Sequence, residues 1–389
     1  MAGYLATAIL YFFFNSLLLP EGLLYTAILT PFFLWWLYRQ NKLNGLWYFF
    51  LFTIPFIPLH FYEGTSAVYY IRSYILFFTS YTFGMSVYFS LKKISNINII
   101  FRPVLLINFL LIPVALLLLE FSHLKAIMWF LKEISPGIGG VPRLKMFTYE
   151  ASYYSLLLAP IAIYYYLKAL LSKNKNYGII LIMITLPLLL SFSLGVIAGI
   201  ALTFICLFFC SPKIFLTNQI FIKYFLITAF CGIIILLGLL IFYPDNPLYG
   251  RINNIFTGQD TSFRGRTYES FILAWKIASQ KSVWFGCGLG QVKIVGVKVF
   301  HNYYGYLPPV VRIPNTLGDT LATYGIVGVF IRMGLTFYFF FKTKVTANYY
   351  RLCLFIFIFI YQFTGSFLTN IVEYVIWIMA FSNVFKEFD

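Results

Sequence analysis

Apolar residues in this chain come in long, nearly unbroken runs parted by short polar connections. A helix needs about 20 such residues in succession to cross a lipid bilayer. Twelve runs, some of them short, are read as spans: 4–19, 22–38, 45–61, 68–91, 103–121, 151–171, 177–192, 194–210, 221–243, 318–341, 350–366 and 370–385. Pro20-Glu21-Gly22 makes a tight turn between the first two. The runs 177–192 and 194–210 are separated only near Ser193, so they also read as one re-entrant hairpin. One stretch breaks the pattern. Residues 244–319 gather arginines, acids and glycines and cannot sit wholly in lipid.

The expected fold is an all-α polytopic integral membrane protein, with about twelve transmembrane helices and a long external loop containing amphipathic helices. Its segments are N-terminal membrane helices over 1–121, an external interfacial segment over 122–149, central membrane helices over 150–243, the long loop over 244–317 and C-terminal membrane helices over 318–389. Composition excludes the soluble alternative. The chain is 61% apolar and 10% charged, against about 25% charged for soluble domains. The five cysteines form no disulfide framework: Cys206, Cys210, Cys231 and Cys353 lie in apolar runs and only Cys287 is in the loop. Arg39 is the first positive charge, so no cleavable signal peptide is expected.

Charge sets the orientation. Alternate connections carry Arg39, Lys42, Lys92, Lys93, Arg102, Lys168, Lys173, Lys175, Lys213, Lys223, Lys342, Lys344, Arg351 and Lys386, opposed only by Glu387 and Asp389. The positive-inside rule puts this side, and with twelve spans both termini, in the cytoplasm. The long loop is then outside, yet it too is basic. Topology does not account for that charge, so it asks for another reason. In the second external segment, Phe121, Leu124, Met128, Leu131 and Ile134 share one helical stripe away from Lys125, Lys132 and Glu133. That pattern predicts a short helix lying in the membrane interface, ended by Pro136-Gly137. A plain connector is the alternative. No internal repeat is visible, unlike transporters built from two similar halves.

Within the loop, Thr261 or Ser262 is expected to cap a helix running to about Gln280, with Tyr268, Phe271, Ile272 and Trp275 on its apolar face. Arg264 and Arg266 then fall in the first turn, where two guanidinium groups and open backbone N–H groups suit a phosphate. The alternative is that both meet lipid headgroups. Gly286, Gly288 and Gly290 allow the backbone of Trp284–Gly290 to approach a ligand or another segment closely. His301 in the loop is a candidate general base, whereas His60 and His123 sit at span ends. Glu150 starts the sixth span, with Arg143 as a candidate partner. Arg332 and Glu373 are charges at membrane depth, open to a mutual pair or a substrate role. No His, Cys or Asp cluster has metal-ligand spacing, so neither a metal nor another cofactor is expected, and neither is a nucleic-acid partner.

Four stretches in order carry a family resemblance. They are Phe147-Thr148-Tyr149-Glu150-Ala151-Ser152-Tyr153; Leu190-Ser191-Phe192-Ser193-Leu194-Gly195; Arg264-Gly265-Arg266 followed by Trp284-Phe285-Gly286-Cys287-Gly288-Leu289-Gly290; and Pro314-Asn315 through Tyr324-Gly325-Ile326-Val327-Gly328. Together, over roughly residues 140–330, they resemble the O-antigen polymerase (Wzy-type) and O-antigen ligase superfamily of bacterial envelope glycosyltransferases. Ala151 stands where the family has proline. The ligases' His-Asn pair precedes the Gly-x-x-Gly span closely, whereas here that place holds Pro314-Asn315 and His301-Asn302 comes earlier. This departure favours a polymerase.

The resemblance implies an inner-membrane enzyme of lipopolysaccharide biosynthesis with its active site facing the periplasm. Donor and acceptor are oligosaccharide repeat units on undecaprenyl diphosphate, and the membrane lipid is a further contact. A separate chain-length regulator and a flippase are implied partners. Arg143, Arg264 and Arg266 become candidates for holding the leaving diphosphate, and Glu150 or His301 for the base. Lys145, Tyr153, Arg251, Arg312, Asn315 and Asp319 become candidate substrate contacts, with Asp319 a reserve base. The rivals are an O-antigen ligase and a flippase for the lipid-linked unit.

Overall fold

The computed structural model describes residues 2–20, 23–62, 64–94, 96–131, 141–171, 177–212, 247–258, 260–306 and 311–388. The expected span 221–243, Cys231, Lys132, Glu133, the turn at Pro136-Gly137, Lys173, Lys175, Lys213 and Lys223 lie outside them, as do Glu21, Gly22 and the side chains of Arg251, Thr261 and Ser262.

The described residues are 73% helix with almost no strand, consistent with an all-α membrane protein. Among the described residues four helices are long and apolar enough to cross a membrane: Leu43–Tyr62, Asn98–Leu119, Ala151–Leu171 and Thr316–Lys342. Shorter apolar helices cover parts of other expected runs. Helix α1 (Ala2–Phe12) stops short of Asn15, whose side-chain amide donates to the Tyr153 hydroxyl at 2.9 Å. The run 22–38 divides into α2 (Tyr25–Ile28) and α3 (Thr30–Arg39), the latter with Pro31 in its first turn. Within the span Leu43–Tyr62, Pro55 marks a local break between α4 (Leu46–Thr53) and α5 (Phe56–Tyr62). Then come α6 (Ala67–Leu91) and α7 (Asn98–Leu119).

The interfacial segment corrects its expectation. Among its described residues only α8 (Lys125–Met128) is helical. Trp129 and Phe130 turn extended and pair antiparallel with Leu144 and Arg143, as aromatic residues favour. The Trp129 indole N–H donates to the Ala115 carbonyl at 2.6 Å, which ties this ribbon to α7. Phe121, Leu124 and Ile127 stay exposed.

The chain forms two compact units, the first from Met1–Gly22, Asn96–Phe263 and Leu352–Phe357, the second from Leu23–Ser95, Arg264–Arg351 and Ile358–Asp389. The first is centred on α9 (Ala151–Leu171), apolar around its whole circumference and buried accordingly. Lipid gives no hydrophobic drive between helices, so buried polar pairs help to hold them. The Tyr154 hydroxyl donates to Asn108 Oδ1 at 2.6 Å, and the Ser155 hydroxyl to Ser191 Oγ at 2.6 Å. Around it stand α10 (Tyr177–Leu190) and α11 (Leu194–Cys210), parted at Phe192, which takes a left-handed φ of 51°. This unit also holds α12 (Pro247–Phe256), which carries Arg251.

Short α13 (Thr261–Arg266) precedes the loop helices of the second unit, α14 (Tyr268–Ala278) and α15 (Val292–Tyr304). They are followed by α16 (Thr316–Lys342), α17 (Tyr349–Tyr361) and α18 (Ile371–Phe381). The core under the loop is built from Leu273, Ala274 and Ile277 of α14, Val299 and Phe300 of α15, and Cys287, Ile313 and Ala322. Burial pushes the Cys287 thiol up to about 12, so it stays a neutral packing group.

Candidate functional site

The site is organised by a break in α16. Gly325 takes φ 67° and ψ −164°, which no helix contains. A broken helix leaves backbone groups without partners, and such backbone survives at membrane depth only where it is buried in protein or lines a cavity. The glycine-rich loop supplies the partners. The N–H groups of Cys287 and Gly288 donate to the Ala322 and Thr323 carbonyls at 2.9 and 3.0 Å. In return, Ile326 and Val327 donate to the Val283 and Trp284 carbonyls at 3.0 and 3.1 Å. The close approach foreseen for Gly286 is thus made to another segment. Two further contacts anchor the loop: His60 Nε2 lies 2.9 Å from the Phe285 carbonyl, and its Nδ1 lies 3.1 Å from the Tyr70 hydroxyl.

Around this seam the arginines take positions that differ from the sequence expectation. One helix from Thr261 to Gln280 does not form, because Thr267 (φ −100°, ψ −114°) divides it into α13 and α14. Asp260 caps the start of α13, its Oδ1 accepting from the Phe263 N–H at 2.8 Å. Arg264 and Arg266 therefore occupy the last turn of α13, where the helix dipole itself favours cations. The apolar face of α14 is reversed as well. Ser270, Leu273, Ala274, Ile277 and Ala278 are buried, whereas Tyr268, Ile272 and Trp275 are exposed. Small residues let helices approach closely.

Glu269 was missed in the sequence and is the centre of the cluster. It lies in the first turn of α14, where the dipole favours an anion. Its Oε1 accepts from Arg264 Nε at 2.9 Å and Nη2 at 2.6 Å. Its Oε2 accepts from the Tyr304 hydroxyl at 3.0 Å. The Arg264 side chain is 39% exposed and that of Glu269 is 2% exposed, so a buried carboxylate anchors an accessible guanidinium. Arg264 is held charged, its pKa raised by the hydrogen bond it donates to Glu269. Burial, then the Glu269 hydrogen bond, pushes the Tyr304 hydroxyl up, so it remains a donor. Lys276 adds a cation 5.0 Å from the Tyr303 ring centre. The signal available in the sequence was an acid five residues after Arg264.

Asn315 locks the cluster to α16. Its Oδ1 accepts from the Gly318 N–H at 2.6 Å as the N-cap, while its Nδ2 donates to the carbonyls of Arg266 at 2.8 Å and Phe363 at 3.2 Å. It is fully buried, so its polar atoms are engaged in holding the chain. Asp319 Oδ2 accepts from the Leu368 N–H at 2.9 Å. His301 is exposed on α15, one turn before Tyr304, and Arg312 is exposed beside the buried Ile313. Arg332 and Glu373 pair with each other, and Glu373 also accepts from the Thr316 hydroxyl at 2.5 Å. The structural alternative holds for that pair.

No family model matches the chain, and no curated protein matches it.

The remaining candidates belong to the first unit. Arg143 is buried, with its guanidinium 4.8 Å from the Phe130 ring centre. Lys145 follows it, and its carbonyl accepts from the Thr148 hydroxyl at 2.7 Å. The Glu150 carbonyl opens α9 by accepting from the Tyr154 N–H, and its Oε1 accepts from the Ser152 hydroxyl at 2.6 Å. Tyr153 is buried against Asn15. Arg143 and Glu150 are in the first unit; Arg264, Arg266, His301, Arg312, Asn315 and Asp319 are in the second.

Proposed function

We propose that this protein is an O-antigen polymerase, a glycosyltransferase of the bacterial inner membrane. It crosses the membrane about twelve times, with both termini in the cytoplasm and the Arg264 cluster facing the periplasm. The observation that carries the proposal is the accessible Arg264 guanidinium held by buried Glu269, with Arg266 beside it fastened through its carbonyl to Asn315. A fixed arginine suits an anionic oxygen that gains charge as a bond breaks, because its planar fork is oriented beforehand. Apolar helices of membrane-crossing length suit a substrate carried on lipid.

In the proposed reaction an acceptor sugar hydroxyl attacks the anomeric carbon of a donor glycan. The new carbon–oxygen bond forms as the bond to the diphosphate breaks, and the electron pair departs on undecaprenyl diphosphate. The hydroxyl proton passes to a base, for which exposed His301 is the candidate in the second unit. Arg264 and Arg266 receive the leaving charge without a metal ion. Glu269 and Tyr304 are positioning residues, acting through Arg264. No nucleotide takes part, since the diphosphate is already the leaving group.

Deleting the gene separates this proposal from its rivals. The expected phenotype is lipid A core capped with a single repeat unit. Bare core with stranded lipid-linked polymer would mark a ligase instead. Lipid-linked sugar crossing proteoliposome membranes with no new glycosidic bond would mark a flippase.

A further inference from the structure

The second unit contains an apolar cavity of about 610 Å³ that the proposed chemistry does not use, within the ~300–1,000 Å³ range of small-ligand sites. Its walls come from α4, α6, α16 and α18, and Phe49, Tyr81, Leu335 and Trp377 are among the lining groups. Where α6 and α16 end, a second cavity of about 800 Å³ is lined by Lys92, Lys342, Lys344 and Arg351. Tyr88, Thr343 and Phe381 line both cavities, so an aromatic channel adjoins a basic mouth. None of the described residues lining that mouth is acidic.

The mouth has a fixed frame. Arg351 is buried, its Nε donating to the Ala380 carbonyl at 3.0 Å and its Nη2 to the Thr343 carbonyl at 2.7 Å. Lys92 Nζ lies 4.3 Å from the Tyr88 ring centre, and Lys342 Nζ lies 2.8 Å from the Tyr338 hydroxyl. Lysines at helix C-termini also complement the dipole, but that role needs no cavity and no channel. Apolar walls beside helices of membrane-crossing length call for hydrocarbon, and basic pockets between such helices hold anionic headgroups.

We propose that the joined cavities bind one anionic diacyl phospholipid. Its phosphate sits among Lys92, Lys342 and Lys344, and an acyl chain lies along the aromatic channel. This site is separate from the Arg264 cluster and stands whether or not the glycosyltransferase proposal does.

Native mass spectrometry of the purified full-length protein tests it, using phosphatidylglycerol and phosphatidylcholine with matched chains. Wild type is expected to bind phosphatidylglycerol roughly tenfold or more tighter, from the additive attraction of several lysines. The triple variant Lys92→Gln/Lys342→Gln/Lys344→Gln is expected to lose that preference. Lys344→Gln alone, at an exposed position, is expected to reduce it by about threefold and serves if the triple variant does not fold. Leu335→Trp, which fills the channel, is expected to weaken both lipids and keep the preference. Equal binding of the two lipids by wild type, or a preference that survives the lysine changes, overturns the proposal. So does unaltered binding by Leu335→Trp, or displacement of phosphatidylglycerol by equimolar undecaprenyl phosphate.

Discussion

Gly286→Ala is expected to destabilise the protein by on the order of 3 kcal/mol or more, combining left-handed strain with a backbone clash. Gly286 has φ 77°, and a Cβ there would lie 2.4 Å from both the carbonyl carbon and the oxygen of Thr323. Gly325 faces the same limit from the other side, with Trp284 backbone atoms at 2.4 Å. No rotamer relieves contacts between main chains. The loop must retreat, and the four hydrogen bonds that satisfy the break in α16 go with it. Buried backbone groups left without partners then add to the cost. Thermal unfolding of detergent-purified protein, followed by size exclusion, measures the loss. Gly334→Ala is the control, because a Cβ there meets nothing within 4 Å. A Gly286→Ala protein that melts with wild type would show that the loop does not close on the helix in this way.

Arg264→Ala is expected to lower chain extension by roughly 10²–10³-fold, the scale for losing a donor aimed at developing charge. The protein should still reach the membrane in normal amount, since the side chain is partly exposed and packs into no core. Arg266→Ala is expected to lose activity as well. Glu269→Gln keeps the shape but removes the charge that orients Arg264, so a smaller loss is expected. The double variant Arg264→Ala/Glu269→Gln should be no worse than Arg264→Ala alone, as for residues acting as a unit. Additive losses would give Glu269 a separate role. Normal polymer from both arginine variants would remove the phosphate assignment.

Much of the fold could be read from apolar runs, because a chain with so few charged residues has no other way to satisfy its backbone in lipid. Ala151–Leu171 matches its expected span, and Thr316–Lys342 differs from its own by a residue or two at each end. What could not be read was where runs break. Asn15 stops α1 because its partner is Tyr153, far along the chain, and no local pattern records that bond. Thr267 divides the loop helix, although neither proline nor glycine marks the position.

The site was legible in its parts but not in its joinery. Arg264 and Arg266 were singled out by sign and spacing, yet the acid that fixes Arg264 was passed over as one more loop carboxylate. Glu269 becomes central only when α14 and α15 pack and bring Tyr304 to it. The glycines announced a close approach without naming the partner, which is Gly325 in a different helix. Asn315 entered as a candidate substrate contact through the family resemblance alone. Its full burial and three hydrogen bonds make it a clamp between α13 and α16, which its place in the motif did not announce. The face of α14 was reversed because small Ser270, Ala274 and Ala278 pack inward, leaving Tyr268, Ile272 and Trp275 exposed.

The most direct measurement is incubation of purified protein with synthetic undecaprenyl-diphosphate-linked repeat units, with products separated by size. The predicted result is a ladder of lengthening glycans accompanied by released undecaprenyl diphosphate, present with wild type and absent with Arg264→Ala. Intact repeat units with no released diphosphate, from protein that is folded and correctly inserted, would contradict it.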